Sequence, residues 1–244
     1  TTASQGAAAE IAVGSGLSLV DDTVSILDIT SYGAVGDGVT DDTAAFQAAH
    51  DAMGTSGGTV YAPSNTYNIA GTLNFSKSMT FLGDGFGSTI LSKGAGTGDM
   101  FSMTGSFQRL SGFKILAGVA QTANAYIHYS TASSRQLLDD FYLDGWFQGV
   151  LWEGIASLHV HHGYLLSGVV TTGIGIKITT GTSADIRIDN ILIDNSAGSQ
   201  PLAGVQVLVT QDMVMKSVSI IHCSVGLSIT PGNSQTVASF WADN

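Results

Sequence analysis

Two carboxylates near the middle of the chain have the types and spacing for acid–base chemistry. Glu153, one of only two glutamates, directly follows the apolar run 150–152. If that run is a strand whose end residues point inward, Glu153 points outward. Asp144 begins the corner that leads into the same run. General acid–base catalysis needs an acid together with a base or nucleophile, so we predict Glu153 and Asp144 as catalytic residues.

Glu153 also has a structural interpretation. Lys177 lies about one repeat further along the chain and would form an ion pair with it. The corner after Asp144 carries Trp146, which we predict to form a cleft wall that binds substrate.

Two tyrosines are predicted to lie on one outer face, one repeat apart. Tyr142 and Tyr164 occupy the same position in consecutive repeats, and aromatic faces of this kind suit sugar rings. Lys114 and Arg135 would lie near them and contact acidic groups. Exposed tyrosine is also ordinary on strands, and that alternative stays open.

Other polar clusters have both a functional and a structural interpretation. His159, His161 and His162 invite a metal site, but alternation on a strand separates neighbouring side chains, so a surface cluster is preferred. Asp185, Asp189 and Asp194 would suit Ca²⁺ or simply form turns. The glycine-rich segment 83–88 lacks the following helix of a dinucleotide-binding motif. We predict no metal and no cofactor.

A repeat of 22 to 28 residues sets the positions of all these side chains. In each copy an apolar residue precedes two polar positions, and two apolar positions follow with one residue between them. The second polar position is expected to form a tight or left-handed turn. Six residues occupy it: Gly112, Asp140, His162, Asn190, Ser217 and Ser239. A helix-free repeat of this length, without a leucine-rich consensus, predicts an all-β, right-handed parallel β-helix, a solenoid.

The residues before the repeats predict three units. Residues 1–28 read as a short β hairpin or neck, and residues 29–58 as a capping segment. That segment carries a helix with Thr40 as N-cap and an apolar surface up to Met53. Residues 59–244 form the β-helix, and the repeat pattern at their end suggests a truncated chain.

Composition excludes several classes of protein. Of 244 residues, 44% are hydrophobic and only 11% are charged. The net charge of −11, with no cluster of Lys or Arg, argues against nucleic acid and anionic membrane surfaces as partners. No stretch approaches the ~20 apolar residues of a membrane span, so no membrane insertion is expected. The single cysteine excludes internal disulfides.

Three segments carry a family resemblance. They are residues 28–49 with Gly36-Asp37-Gly38, residues 57–63 with Gly57-Gly58, and Leu82-Gly83-Asp84-Gly85. Together they closely resemble the cap and first turns of the pectate-lyase-like β-helix superfamily, as found in bacteriophage tailspikes and polygalacturonases. Asp139-Asp140 and His162-Gly163 are similar to the Asp-Asp and Gly-His-Gly signatures of polygalacturonases, and Ile176-Lys177 is similar to their Arg-Ile-Lys signature. The Asn-Thr-Asp signature that precedes these in polygalacturonases is not found here.

Residues 14–27 in turn resemble the short β-rich neck of phage tail fibres and spikes, where three chains wrap together. The two resemblances together imply a bacteriophage tailspike, a homotrimer in the virion, that binds and depolymerises a bacterial surface polysaccharide. Glycoside hydrolysis is the preferred chemistry and a polysaccharide lyase the alternative. A non-catalytic structural or receptor-binding fragment, and a secreted pectinolytic enzyme, remain as other hypotheses.

Overall fold

The computed structural model describes residues 25–94, 98–118, 121, 123–130, 133–154, 156–168, 172–179, 185–196, 200–208, 212–229 and 239–243. The elements of the first part are β1 (Ser25–Asp28), a 3₁₀ helix (Ile29–Tyr32), β2 (Asp37–Asp41), α1 (Thr43–Ala52), β3 (Gly58–Ala62), β4 (Asn65–Ile69), β5 (Leu73–Phe75), β6 (Met79–Gly83), β7 (Thr89–Lys93) and β8 (Phe101–Met103). The remaining strands are β9 (Ser106–Ala117), β10 (Ala125–Tyr129), β11 (Ser134–Asp144), β12 (Gln148–Trp152), β13 (Ser157–Leu166), β14 (Ile174–Ile178), β15 (Asp185–Asp194), β16 (Ala203–Val207), β17 (Asp212–Ile221), β18 (Val225–Ile229) and β19 (Ser239–Asp243).

These strands form a parallel β-solenoid of the right-handed type, with about six turns. The twelve-stranded sheet, called here the large sheet, contains β9, β11, β13, β15, β17 and β19 in this order. The seven-stranded sheet, called the small sheet, contains β5, β8, β10, β12, β14, β16 and β18. Successive turns therefore alternate one strand of each sheet, about 4.8 Å above the previous turn.

The predicted column of turns is confirmed for its first five members. Each lies inside a long strand of the large sheet with a positive φ: Gly112 at 75°, Asp140 at 48°, His162 at 46°, Asn190 at 53° and Ser217 at 52°. A left-handed residue bends the strand, so each long strand turns a corner without leaving its sheet. Glycine, asparagine and aspartate accept this conformation most readily, which is why the pattern could be found from sequence.

The predicted register of the sixth repeat is wrong by five residues. The sequence pattern places Ser239 opposite Ser217, whereas the strand register pairs Asp212 with Ser239 and Val214 with Trp241. This turn of the solenoid therefore takes 27 residues instead of 22, similar to the longer of the earlier repeats.

Inward side chains stack from turn to turn and form one core. One column on the large sheet consists of Val60, Phe81, Leu110, Leu138, Val160, Ile188 and Met215. On the small sheet, Phe75, Met103, Tyr129, Trp152, Ile178 and Val207 form another. Burial of these columns stabilises the solenoid and leaves the alternating outward residues free for other roles.

Helix α1 packs on the inward side chains of the first turn. Phe46 contacts the rings of Tyr67 and Phe81 at centroid distances of 5.3 and 6.0 Å. The helix begins three residues after the predicted N-cap, because the Thr40 side chain donates to Asp37 within β2. Among the described residues, no helix has both the length and the apolar character needed to cross a bilayer.

The predicted neck lies mostly outside the described residues. Its last four residues form β1, which pairs in parallel with β3 from Ser25 opposite Gly58 to Asp28 opposite Tyr61. Residues 25–28 thus belong to the large sheet, since their backbone extends its hydrogen-bond ladder.

Candidate functional site

A histidine held between two carboxylates lies on the outer face of the small sheet. Nδ1 of His128 is 2.7 Å from Oδ2 of Asp99, and its Nε2 is 3.1 Å from Oε2 of Glu153. The Thr179 hydroxyl donates to the other oxygen of Glu153 at 3.2 Å. We call Asp99, His128, Glu153 and Thr179 the His128 cluster.

The strand ladder fixes the members of this cluster on consecutive turns. His128 is the outward residue of β10, and the amide of Glu153, just after β12, donates to the Tyr129 carbonyl at 2.8 Å. The amide of Thr179, just after β14, donates to the Trp152 carbonyl at 3.1 Å. The side chains are 20–30% exposed for Asp99, His128 and Glu153. They are therefore accessible to a ligand yet shielded enough for strong electrostatic interactions.

The two carboxylates favour the charged form of the imidazole. The hydrogen bond to Asp99 is the main cause that raises the pKa of His128 above 6.5; burial opposes it, and Glu153 adds to it. Burial alone would raise the pKa of Asp99, but hydrogen bonds from His128 and from the Ala125 amide outweigh burial and lower that pKa below 3.8. Both shifts favour an imidazolium paired with an ionised Asp99.

We expect Asp99→Asn to lower the pKa of His128, because the substitution removes the charge that contributes most to the shift. NMR titration of the imidazole resonances measures this pKa directly. In the wild type His128 should titrate above 6.5, and in the variant at lower pH. A wild-type value at or below 6.5 would contradict the assignment.

The same shifts define a pH window for stability. The folded pKa of His128 exceeds 6.5, so its contribution is complete below 6.5 and is lost as pH rises through the folded value. The folded pKa of Asp99 is below 3.8, so its contribution is present above 3.8 and is lost as pH falls through the folded value. The ion pair of His128 and Asp99 therefore stabilises the folded state most between pH 3.8 and pH 6.5.

The structure separates the two predicted catalytic residues. Asp144 ends β11 in the large sheet, whereas Glu153 follows β12 in the small sheet. The five residues of β12 lie between them, about 13 Å from end to end. Catalytic carboxylates of glycosidases lie ~5–9.5 Å apart, so Asp144 does not complete a pair with Glu153. The predicted ion pair with Lys177 is also wrong, because Glu153 contacts His128 and Thr179 instead.

The predicted tyrosines do lie together, on the large sheet. Tyr142 and Tyr164 are directly opposite each other on β11 and β13, with ring centroids 5.9 Å apart. The Lys114 ammonium is 4.2 Å from the Tyr142 ring centroid. Phe86, from the glycine-rich loop after β6, reaches both rings, at 6.2 Å from Tyr142 and 5.8 Å from Tyr164.

A pocket of about 370 Å³ lies beside these rings. We call it the Tyr164 groove; it is lined by Phe86, Asp140, His162, Gly163, Tyr164, Asn190, Ile191, Leu192, Ser217 and Ser219. Four of its polar residues belong to the column of left-handed turns, for which the sequence predicted a backbone role, with a polygalacturonase-like role as the alternative for Asp140 and His162. The same backbone feature therefore also directs a row of polar side chains toward one surface.

Two predicted substrate-binding residues lie elsewhere. Trp146 is fully buried, so its ring belongs to the core and forms no cleft wall. Arg135, at the opposite end of β11 from Tyr142, places its guanidinium 5.0 Å from the Phe107 ring centroid. It is not among the residues that line the Tyr164 groove.

The remaining histidines pair with aspartates. His162 and Arg109 both contact Asp139 at 3.0 Å, His159 contacts Asp185 at 3.2 Å, and His222 contacts Asp194 at 2.8 Å. The aspartates proposed for Ca²⁺ thus bind histidine side chains. The polygalacturonase-like set is incomplete, because Lys177 lies on β14 of the small sheet, away from Asp139 and His162.

Sequence reasoning found Glu153 but missed its partners. Asp99 precedes His128 by 29 residues, and His128 precedes Glu153 by 25, both close to the repeat length. This spacing indicates that the three side chains lie at neighbouring positions on consecutive turns of the solenoid, so it could have identified the cluster from the sequence. Phe86 gave none, because it lies in a loop that extends over two later turns of the solenoid.

The parallel strands, the inward apolar columns and the polar clusters outside define a β-solenoid that presents its sites on the outer faces of its sheets. The chain belongs to the rhamnogalacturonase A/epimerase, pectate lyase-like family, whose model matches residues 26–239. This confirms the superfamily that the sequence resembles.

Two mannuronan C5-epimerases of Azotobacter vinelandii are similar in sequence. AlgE1 is 31% identical over 132 residues and AlgE4 is 32% identical over 127 residues. Each match covers 51% of this chain but only 9% and 22% of the two epimerases, so the chain spans less than a quarter of their length.

Solved structures show the same fold. ORF18 of Geobacillus virus E2 has a TM-score of 0.63 at 17% identity, covering 79% of this chain and 41% of that one. The A-module of AlgE4 has a TM-score of 0.56 at 17% identity, covering 80% and 71%. At this identity the likeness concerns the fold alone.

Proposed function

We propose that this chain is the β-solenoid of a bacteriophage tailspike that cleaves a bacterial surface polysaccharide at the His128 cluster. The observation that carries the proposal is the half-buried imidazole with a carboxylate on each nitrogen, on the outer face of the small sheet. The family, the polysaccharide substrate in the names of the curated relatives, and the fold shared with a viral protein support it.

Glycoside hydrolysis at this cluster needs two residues that transfer protons. His128 in its imidazolium form donates its Nε2 proton to the glycosidic oxygen as the carbon–oxygen bond breaks. Because His128 and Glu153 are only 3.1 Å apart, both act on the same face of the sugar; water adds to the anomeric carbon from the side that the leaving group vacates and gives a proton to the Glu153 carboxylate. The hydrogen bond between the two side chains then returns that proton to His128. Asp99 holds the Nδ1 side of the ring, and Thr179 orients Glu153.

The proposal is tested by incubating the protein with capsular and O-antigen polysaccharides and measuring new reducing ends. Hydrolysis produces them without absorbance near 235 nm, whereas a lyase also produces that absorbance. Altered sugar signals in NMR at constant chain length would instead indicate epimerisation. No change in any polysaccharide would contradict catalysis and favour a non-catalytic receptor-binding fragment.

The assembly is part of the same proposal. A tailspike of this kind is a homotrimer in the virion, and light scattering measures the mass of the assembly in solution. A monomer would contradict the tailspike role and leave a secreted enzyme as the better interpretation.

A further inference from the structure

The Tyr164 groove and the His128 cluster face different directions. The groove lies on the large sheet and the cluster on the small sheet, and the inward faces of both sheets share one core. A glycan segment that contacts Glu153 on the small sheet does not lie in the groove. The groove therefore needs its own explanation.

Its lining has the composition of a sugar site. Tyr164 is 39% exposed and offers an aromatic face to the C–H side of a sugar ring. Nδ1 of His162 is held by Asp139 at 3.0 Å. Within the described ranges, no hydrogen bond occupies the side chains of Asp140, Asn190 or Ser217. Polar groups with unused hydrogen-bonding capacity beside an aromatic ring are what hydroxyl-rich ligands bind.

The geometry of the lining matches a chain that runs along the solenoid axis. Asp140, His162, Asn190 and Ser217 lie at the same position on four consecutive turns, so they form a row about 14 Å long. The volume of about 370 Å³ lies at the lower end of the range for ligand pockets. It suits a short oligosaccharide segment.

Phe86 closes one end of the groove. It lines the pocket and packs on both tyrosine rings, while Lys114 covers another part of Tyr142. Tyr142 itself does not line the pocket. A sugar that stacks on Tyr164 therefore cannot continue over Tyr142, and the bound chain must end there.

The charges of the lining select against acidic sugars. Asp140 lines the groove, and no lysine or arginine does. Lys114, predicted from sequence to contact acidic groups, has its ammonium on the Tyr142 ring instead. Asp140 would repel a nearby uronate but accept hydrogen bonds from hydroxyl groups.

We propose that the Tyr164 groove is a second glycan site, separate from the His128 cluster, that binds the end of a neutral oligosaccharide chain. The inference rests on the proposed function only for the class of ligand, a bacterial surface glycan. Binding in the Tyr164 groove does not require that the His128 cluster cleaves this glycan.

The test uses an array of bacterial surface oligosaccharides with neutral and acidic members. The wild type should retain neutral glycans, and Tyr164→Ala should weaken retention about tenfold or more, because the stacking face is lost. The matched control Phe107→Ala removes an aromatic ring that is 57% exposed on the same sheet but outside the groove, and should bind as the wild type does. Retention of acidic glycans only, of none, or equal loss in both variants would overturn the proposal.

Two further variants separate this site from the catalytic one. Phe86→Ala should uncover Tyr142 and strengthen retention of longer neutral chains by severalfold. Glu153→Gln should retain neutral glycans unchanged while losing product formation. If Glu153→Gln also lost retention, one site would serve both roles and the second site would be refuted. If neutral glycans were retained but no polysaccharide were cleaved, only the proposed catalytic function would fail.

Discussion

Glu153→Gln should reduce polysaccharide cleavage by about 10² to 10⁴-fold, the usual contribution of one acid–base group. Glutamine keeps the shape of the side chain and an oxygen that accepts from His128 or Thr179, so the fold and the substrate affinity should be preserved. It cannot take the proton of the attacking water. Initial rates of reducing-end formation at saturating substrate measure the effect on kcat, and KM should change little.

Asp144→Asn is the matched comparison for this prediction. Both variants neutralise an acid near β12, but Asp144 belongs to the large sheet and does not contact the His128 cluster. We expect its rate to stay within about twofold of the wild type. Equal losses in the two variants, or normal turnover in Glu153→Gln, would show that the cluster is not the catalytic centre.

The sequence predicts the fold well because its periodicity reports a physical constraint. Side chains stacked along a solenoid must be compatible turn after turn, so residues of similar type recur at the repeat length. Left-handed turns add a second constraint, which Gly112, Asp140 and Asn190 satisfy. The register of the sixth repeat was mispredicted because Ser239 offers only a short match of polar and apolar positions. Without a glycine, asparagine or aspartate at the turn position, such a match also occurs at a wrong register.

The candidate sites could be predicted only in part, because sequence alternation gives the face of a side chain but not its neighbours across turns. Glu153 was correctly placed outside, but its contact with His128 depends on the register of β10 and β12. Trp146 was misjudged because a corner residue can turn into the core, which alternation along a strand does not predict. Phe86 depends on the path of a loop across two turns.

Gly57→Ala should lower the free energy of unfolding by about 3 kcal/mol, since it combines two separate costs. Gly57 has a φ of +83°, which is unfavourable for any residue with a Cβ. That Cβ would also lie 2.2 Å from the carbonyl oxygen of Ser78, on the next turn. The oxygen belongs to the backbone just before β6, so it cannot move without breaking the pairing of β3 with β6. Chemical denaturation measures the loss.

Gly54→Ala is the control on the same short connection between α1 and β3. A Cβ there meets no atom within 4 Å, and its backbone is not left-handed, so stability should change by less than about 0.5 kcal/mol. Because each turn of a solenoid contacts only its neighbours, the damage in Gly57→Ala should remain local. Hydrogen exchange should accelerate in β3 and β6 and stay unchanged in β15 and β16. Uniform acceleration would show instead that the solenoid unfolds as one cooperative unit and that Gly57 acts on the whole chain.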